Sequence, residues 1–326
     1  MHLQTEIHIK PFDCKLSHAN KILMLGSCFA TNIGERLADA KFNVCTNPFG
    51  VIYNPVSVAN SIEILLENRT FTENDLRLHD DLYYNFCFHS SFSDVEKQLV
   101  LNKMNNAKLQ GHEFIKNAEN IIITFGSAIA YKHISTKKIV ANCHKLPSCE
   151  FEKTHLSIEE IANLTNTAIR NIRAINSKAN FIFTVSPIRY LSNGAHENQL
   201  SKSRLLLAVN EICNTNCNCF YFPAYEIMMD ELRDYRFYAD DMLHPSTLAI
   251  DCIWQKFANV AIADESIAII DEIKKIQSAK MHRAFNPNSD AHKKFLKTYF
   301  GKTKQLQQKY PTLNLHDELK YFDINC

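Results

Sequence analysis

Ser27 stands at a hinge between two kinds of sequence. Lys21-Ile-Leu-Met-Leu25 reads as a short buried strand, Gly26 permits a sharp turn, and from Cys28 the pattern becomes helical. Phe29, Ile33 and Leu37 recur every four residues, with Asn32, Glu35, Arg36 and Asp39 on the opposite face. A serine so placed lies at the carboxyl edge of a sheet. The free N–H groups of a helix start lie beside it and favour developing negative charge. The same position suits a serine that only caps the helix. Far downstream, Tyr238-Ala-Asp-Asp-Met-Leu-His-Pro-Ser246 places Asp241 and His244 on one tight turn before a fresh helical pattern. An Asp and a His at this spacing can hydrogen-bond each other. The second ring nitrogen is then free to take a proton from a hydroxyl nucleophile.

The elements that must hold these groups follow a βα rhythm. Phe42–Thr46, Asn120–Gly126, Asn180–Ser186 and Cys219–Phe222 read as further short apolar strands, and Val56–Leu66, Leu156–Ile175, Leu200–Ile212 and Thr247–Ala261 as helices. This predicts a three-layer α/β/α sandwich around a parallel, doubly wound sheet of about five strands. Residues 1–263 form the main domain, with an inserted segment near 70–115 whose aromatic alternation, Asp80–Ser90, suits a hairpin or a lid. From 264 to 326 the chain reads as a helical extension. Its stripe Ile267, Ile270, Ile273 and Ile276 suits packing or self-association into a homo-oligomer. Its Lys294, Lys297, Lys302, Lys304 and Lys309 suit a solvated face.

Composition narrows the function classes. The 326 residues carry a net charge of +1, with 46% hydrophobic and 22% charged residues, which gives no general argument for nucleic acid or a membrane surface. No run is long enough to span a bilayer, and the start lacks a signal-like apolar block, so a cytoplasmic protein is expected. The 11 cysteines then read as reduced thiols. Cys213, Cys217, Cys219 and Cys252 match no common zinc spacing, and neither a metal nor an organic cofactor is expected.

An early strand-Gly-Ser-helix and a late Asp-x-x-His-Pro resemble the two ends of the SGNH (GDSL-like) hydrolase pattern. Gly26-Ser-Cys-Phe-Ala30 spells the motif of the GSCFA family, which looks like a relative of those enzymes. Similar wording recurs at Thr46–Pro55, Phe88–Ser90, Thr124–Gly126, Asn142–Lys145, Ser186–Arg189 and Tyr221–Glu226. The resemblance runs from Lys21 to Phe257 and implies a serine esterase with the triad Ser27, His244 and Asp241. It also implies that the Ser27 N–H and a bare backbone N–H of Gly50 receive the oxyanion, although Gly50 equally suits a turn. The third motif departs from the superfamily: Ala128 stands where an oxyanion-binding Asn is expected, a loss worth a few kcal/mol of transition-state stabilisation. Ser127, Asn142 and His144 are the candidate replacements, Asn142 and His144 sharing one face if their segment is extended. Asn47, His89 and Arg189 are candidates for supporting the site, His89 and Arg189 also having plain structural readings. The expected partner is a small-molecule or carbohydrate O-acyl ester, acetyl groups among them. An O-acyltransferase with the same triad and a non-catalytic binding protein are the alternatives, the latter because of Ala128.

Overall fold

A computed structural model describes residues 5–323. The chain enters β1 (Lys21–Gly26), α1 (Cys28–Asp39), β2 (Asn43–Thr46) and α2 (Pro55–Glu67). A hairpin, β3 (Arg77–His79) and β4 (Leu82–Tyr84), precedes α3 (Lys97–Asn117) and β5 (Asn120–Phe125). A small antiparallel sheet follows, β6 (Ile129–His133), β7 (Ile139–Val140) and β8 (Phe151–His155). Then come α4 (Ile158–Ile175), β9 (Asn180–Val185), α5 (Ala195–Thr215), β10 (Cys219–Phe222), the short turn α6 (Ala224–Glu226) and α7 (Thr247–Ala261). The extension holds α8 (Asp264–Met281), α9 (Asp290–Lys309) and α10 (His316–Phe322).

The 5-stranded sheet has the order β10-β9-β5-β1-β2, and every neighbouring pair is parallel. Its strands are apolar on both faces because helices cover both. On one side Leu23, Ile121 and Phe181 pack with α2 to α5. On the other Ile22, Ile122 and Ile182 pack with α1 and α7. β1 lies between β2, which follows it, and β5, reached by a long crossover, so the strand order reverses there. Ligands of doubly wound sheets bind at the carboxyl edge of such a switch point.

The stretch read as an insertion divides in two. Residues 73–92 stand outside the sheet, and their hairpin, Arg77–Tyr84, begins before the expected Asp80–Ser90 and shares only Asp80–Tyr84 with it. Residues 97–117, by contrast, are a crossover helix whose Val100, Met104 and Ile115 are wholly buried. The same buried stripe carries Lys108, which donates to the Asn68 carbonyl and side chain, and Gly111, which lies against Leu65 and Pro48. A lysine and a glycine in the inward face conceal the apolar period on which a sequence reading depends.

The extension has its own small core, in which Ile269, Ile273 and Ile276 meet Leu306, Leu315 and Phe322. The stripe considered for self-association is therefore covered largely by the chain itself. Lys294, Lys297, Lys302, Lys304 and Lys309 of α9 are exposed, as a solvated face requires. Among the described residues, no helix is long and apolar enough to cross a membrane.

Candidate active site

The turn after β1 is built from Gly26 outward. Gly26 has φ +134, and a Cβ there would come 2.0 Å from the Thr124 carbonyl oxygen of β5. Only glycine lets the two strand ends approach so closely. Its N–H donates to Asn47 Oδ1 at 2.8 Å and its carbonyl accepts the Ile52 N–H at 2.9 Å. The segment after β2 is thereby strapped across the sheet edge. The Tyr53 carbonyl then accepts the N–H groups of both Gly126 and Ser127, at 2.8 and 3.0 Å. Asn47, a candidate for supporting the site, is held in this turn by Gly26 and by its own donation to Thr31 Oγ1.

A cleft of about 440 Å³ opens at this edge, with Ser27, Cys28, Asn54, Asn142 and His244 among its lining residues. Ile129, Tyr131 and Val140 of the small antiparallel sheet form one wall. The imidazole of His244 lies at the rim. Its Nδ1 meets Asp241 Oδ2 at 2.5 Å, while Asp241 Oδ1 accepts the N–H groups of Leu243 and His244 at 2.8 and 2.9 Å. Those backbone donors, and then the imidazole, hold the Asp241 carboxyl down to about 2. Arg189 fixes the same turn: its guanidinium donates to the Met242 carbonyl, its N–H bonds the Leu243 carbonyl, and it lies 4.4 Å over the Tyr238 ring.

The hydrogen-bond chain expected from Ser27 through His244 to Asp241 forms only in its second half. Ser27 is 1% exposed, and its hydroxyl caps α1 by accepting the Phe29 N–H at 3.3 Å. The Ser27 N–H is also spent, on the Thr124 carbonyl at 3.0 Å. Facing His244 Nε2 is the thiol of the next residue, Cys28, with Sγ at 3.9 Å. The Tyr53 hydroxyl lies beside that thiol. Burial pushes the Cys28 thiol up, against its own N–H, Tyr53 and the Phe29 N–H, which oppose the rise. The helical pattern had placed Cys28 at the helix start, but nothing in the spacing marked its side chain as the one turned toward His244.

The candidates for receiving an oxyanion separate clearly. Gly50 is a correction: its N–H donates to the Asn47 carbonyl at 2.8 Å, and it is absent from the cleft lining. Its φ of +82 and a Cβ position 2.2 Å from His89 Cβ show what it permits, a turn pressed against the segment of His89. His144 is a second correction. Its segment turns at φ +49, and its ring nitrogens meet Ser93 Oγ and the Asn85 carbonyl. Burial holds its imidazole down to about 4, and its ring lies against Tyr84 outside the cleft. His89 is likewise occupied, with Nδ1 bonded to Ser91. Ser127 lines the cleft, but its N–H goes to Tyr53 and its Oγ accepts from Ile129 at 2.9 Å.

Asn142 keeps its candidacy. Its Oδ1 accepts the His144 N–H at 2.8 Å, so its amide NH2 has no protein acceptor among the described residues. Asn54, missed at the sequence level, has the same property. It is 5% exposed and lines the cleft, and its Oδ1 is used in capping α2 at Ser57. An Asn followed by Pro at a helix start announces a cap, and the cap is what aims the remaining amide group into the cleft. The Cys28 N–H, at the first position of α1, also lacks an intrahelical acceptor.

Lys202 was not foreseen either. It is wholly buried on α5, where Nζ donates to the Gly126 and Ser186 carbonyls at 2.8 and 2.7 Å. It ties the ends of β5 and β9 together beneath the cleft. Desolvation lowers it to about 7. Among the described residues no cluster of three or more His, Cys, Asp or Glu side chains is placed to hold a metal ion.

Two comparisons bear on this geometry. The model of the GSCFA family matches residues 21–257, and the model of the GSCFA domain protein, C-terminal domain, matches residues 273–325. No curated protein matches the chain.

Proposed function

The chain belongs to the GSCFA family, and we propose that it hydrolyses carboxylic esters by nucleophilic catalysis at the turn between β1 and α1. The observation that carries this reading is the His244–Asp241 pair. One ring nitrogen is tied to a carboxylate at 2.5 Å and the other is directed at the first turn of α1. That is the arrangement of an orienting acid and a general base. A relation to the SGNH hydrolases is part of the proposal, supported by the positions of the β1 turn and the Asp241–His244 turn.

A side chain of the turn loses its proton to His244 Nε2 and attacks the acyl carbonyl, while Asp241 supports the imidazolium. Negative charge develops on the carbonyl oxygen beside the Cys28 N–H and the amide groups of Asn54 and Asn142. These donors answer the absence of an Asn at Ala128. The imidazolium returns its proton to the leaving alkoxide, and water, activated by the same base, releases the acid. Substrates are small O-acyl esters. Acetylated carbohydrates are favoured by the rings of Tyr53, Tyr131 and Tyr190 along the cleft, which offer faces for a sugar ring.

The test is p-nitrophenyl acetate hydrolysis by wild type and His244→Ala. A loss of at least about 100-fold with the fold intact is expected. Wild-type turnover by folded His244→Ala would sink the proposal.

A further inference from the structure

We propose that Cys28, not Ser27, is the nucleophile of this site, and that the acyl-enzyme is a thioester. The inference rests on the hydrolase reading above and deepens it. Three observations point the same way. The thiol is the group within reach of His244 Nε2, at 3.9 Å, and such contacts are often long in a site without substrate. The Ser27 hydroxyl is turned to the Phe29 N–H in a residue 1% exposed, and leaving that position would uncap α1. Cys28 is half-buried on the cleft wall, and its own N–H is a free donor beside its sulfur.

The surroundings fit a thiol that becomes charged only during attack. A fixed Cys–imidazole ion pair would require a thiol driven down by its neighbours, whereas burial drives this one up. The resting sulfur is therefore protonated and inert, and His244 must take the proton as attack begins. The charge that appears is met by the Cys28 N–H and the Tyr53 hydroxyl beside it. Asn54, a 5%-exposed amide donor without a protein acceptor among the described residues, points to an oxyanion formed at the same place.

The step balances without any co-reactant. A bond forms between Sγ and the acyl carbon as the thiol proton passes to Nε2. The C–O bond then breaks, and Nε2 returns the proton to the departing alkoxide. In deacylation a water gives one proton to Nε2 and its oxygen bonds the acyl carbon. The C–S bond breaks, sulfur regains the proton, and a carboxylic acid leaves.

The experiment is acetylation by p-nitrophenyl acetate, quenched in acid and mapped by peptide mass spectrometry. Wild type, Ser27→Ala, Cys28→Ala and His244→Ala are compared. The expected result is one acetyl group on Cys28, dependent on His244 and removed by neutral hydroxylamine, which cleaves thioesters in preference to oxygen esters. Ser27→Ala should still form it, and Cys28→Ala should lose turnover by at least about 100-fold. If turnover proceeds without an accumulating adduct, the rate of Cys28→Ala decides, and a wild-type rate overturns the assignment. An acetyl group on Ser27, stable to neutral hydroxylamine, overturns it while leaving the hydrolase reading in place. A folded wild type that neither acetylates nor turns over the ester overturns both. Should Ser27→Ala fail to fold, the position and hydroxylamine lability of the wild-type adduct still discriminate.

Discussion

Asp241 can support a protonated imidazole because three donors hold its own charge in place. Two backbone N–H groups and the His244 ring converge on it, and its carboxyl stays ionised down to about pH 2. Any loss of activity on p-nitrophenyl acetate between pH 7 and pH 4 therefore reports proton uptake elsewhere than on Asp241. Asp241→Asn keeps one acceptor for the backbone N–H groups but cannot balance the imidazolium. We expect it to lower kcat by about 100- to 10,000-fold with little change in KM, and to leave thermal unfolding near that of wild type. Steady-state kinetics and calorimetry on the same preparation check this. A variant with unaltered kcat would remove Asp241 from the mechanism. Ser27 and Cys28 show where reading at this scale stops. A strand, a glycine and a helix start locate the turn, but which of two adjacent side chains faces the base depends on the first helical dihedrals. Ser27 takes the extended cap conformation, with φ −67 and ψ 173, and this sends its hydroxyl back to the helix. Cys28, one residue on, faces the cleft.

At the scale of elements, the site depends on a segment that contributes little chemistry of its own. Asn47 to Asn54 leaves β2, crosses the end of β1, receives β5 through the Tyr53 carbonyl and delivers Asn54 to the cleft. Gly50 sets its course by letting the chain meet His89. Gly50→Ala puts a Cβ 2.2 Å from His89 Cβ at φ +82, so both strain and overlap oppose it. We expect a loss of about 2–4 kcal/mol in urea unfolding, along with weakened esterase activity, because the strap shifts before the sheet does. Stability equal to wild type would show that the strap is looser than these contacts imply. The neighbouring segment also carries a pH dependence. His144 is held at about 4 by burial against an ordinary value of 6.5, so the unfolded chain binds a proton first as pH falls. Its contribution is complete above about pH 6.5 and is lost progressively toward pH 4. His144→Gln should reduce the acid-side loss of stability by about 1–2 kcal/mol, read from urea midpoints at pH 7 and pH 5. An unchanged difference between those midpoints would assign the acid sensitivity to other groups. The strands of the sheet were legible because each is apolar on both faces. The cleft wall of β6 to β8 was not, since Tyr-Lys-His and Phe-Glu-Lys-Thr-His show no buried period in strands only partly covered. α3 was hidden by Lys108 and Gly111 on its inward face.

For the whole molecule, the sheet order places β1 and β5 side by side, and the residues lining the cleft come from distant parts of the sequence. Ser27 and Cys28 precede His244 by more than half the chain, and α7, which follows His244, packs against α1 on the same face. The C-terminal helices extend that face. Ile270 of α8 belongs to the α1–α7 core, while Ile269, Ile273 and Ile276 of the same helix belong to the core with α9 and α10. Glu318 of α10 meets Lys41 at 2.8 Å just past the end of α1, and Gln277 donates to the Asp39 carbonyl at 2.7 Å. One helix shared between two cores makes the extension cooperative with the domain. Phe322 tests that coupling, since it is 0% exposed and its ring lies 5.6 Å from that of Tyr299. Phe322→Ala should cost about 3–5 kcal/mol through the cavity it leaves. Because α8 carries the strain into the α1 layer, the loss should appear as one transition at lower temperature. Below that transition, kcat on p-nitrophenyl acetate should stay within about twofold of wild type, since no residue of α10 lines the cleft. Two separated transitions in calorimetry, with only the earlier one shifted, would show instead that α9 and α10 unfold on their own. The extension would then be an appendage to the α/β domain, contributing nothing to the stability of α1.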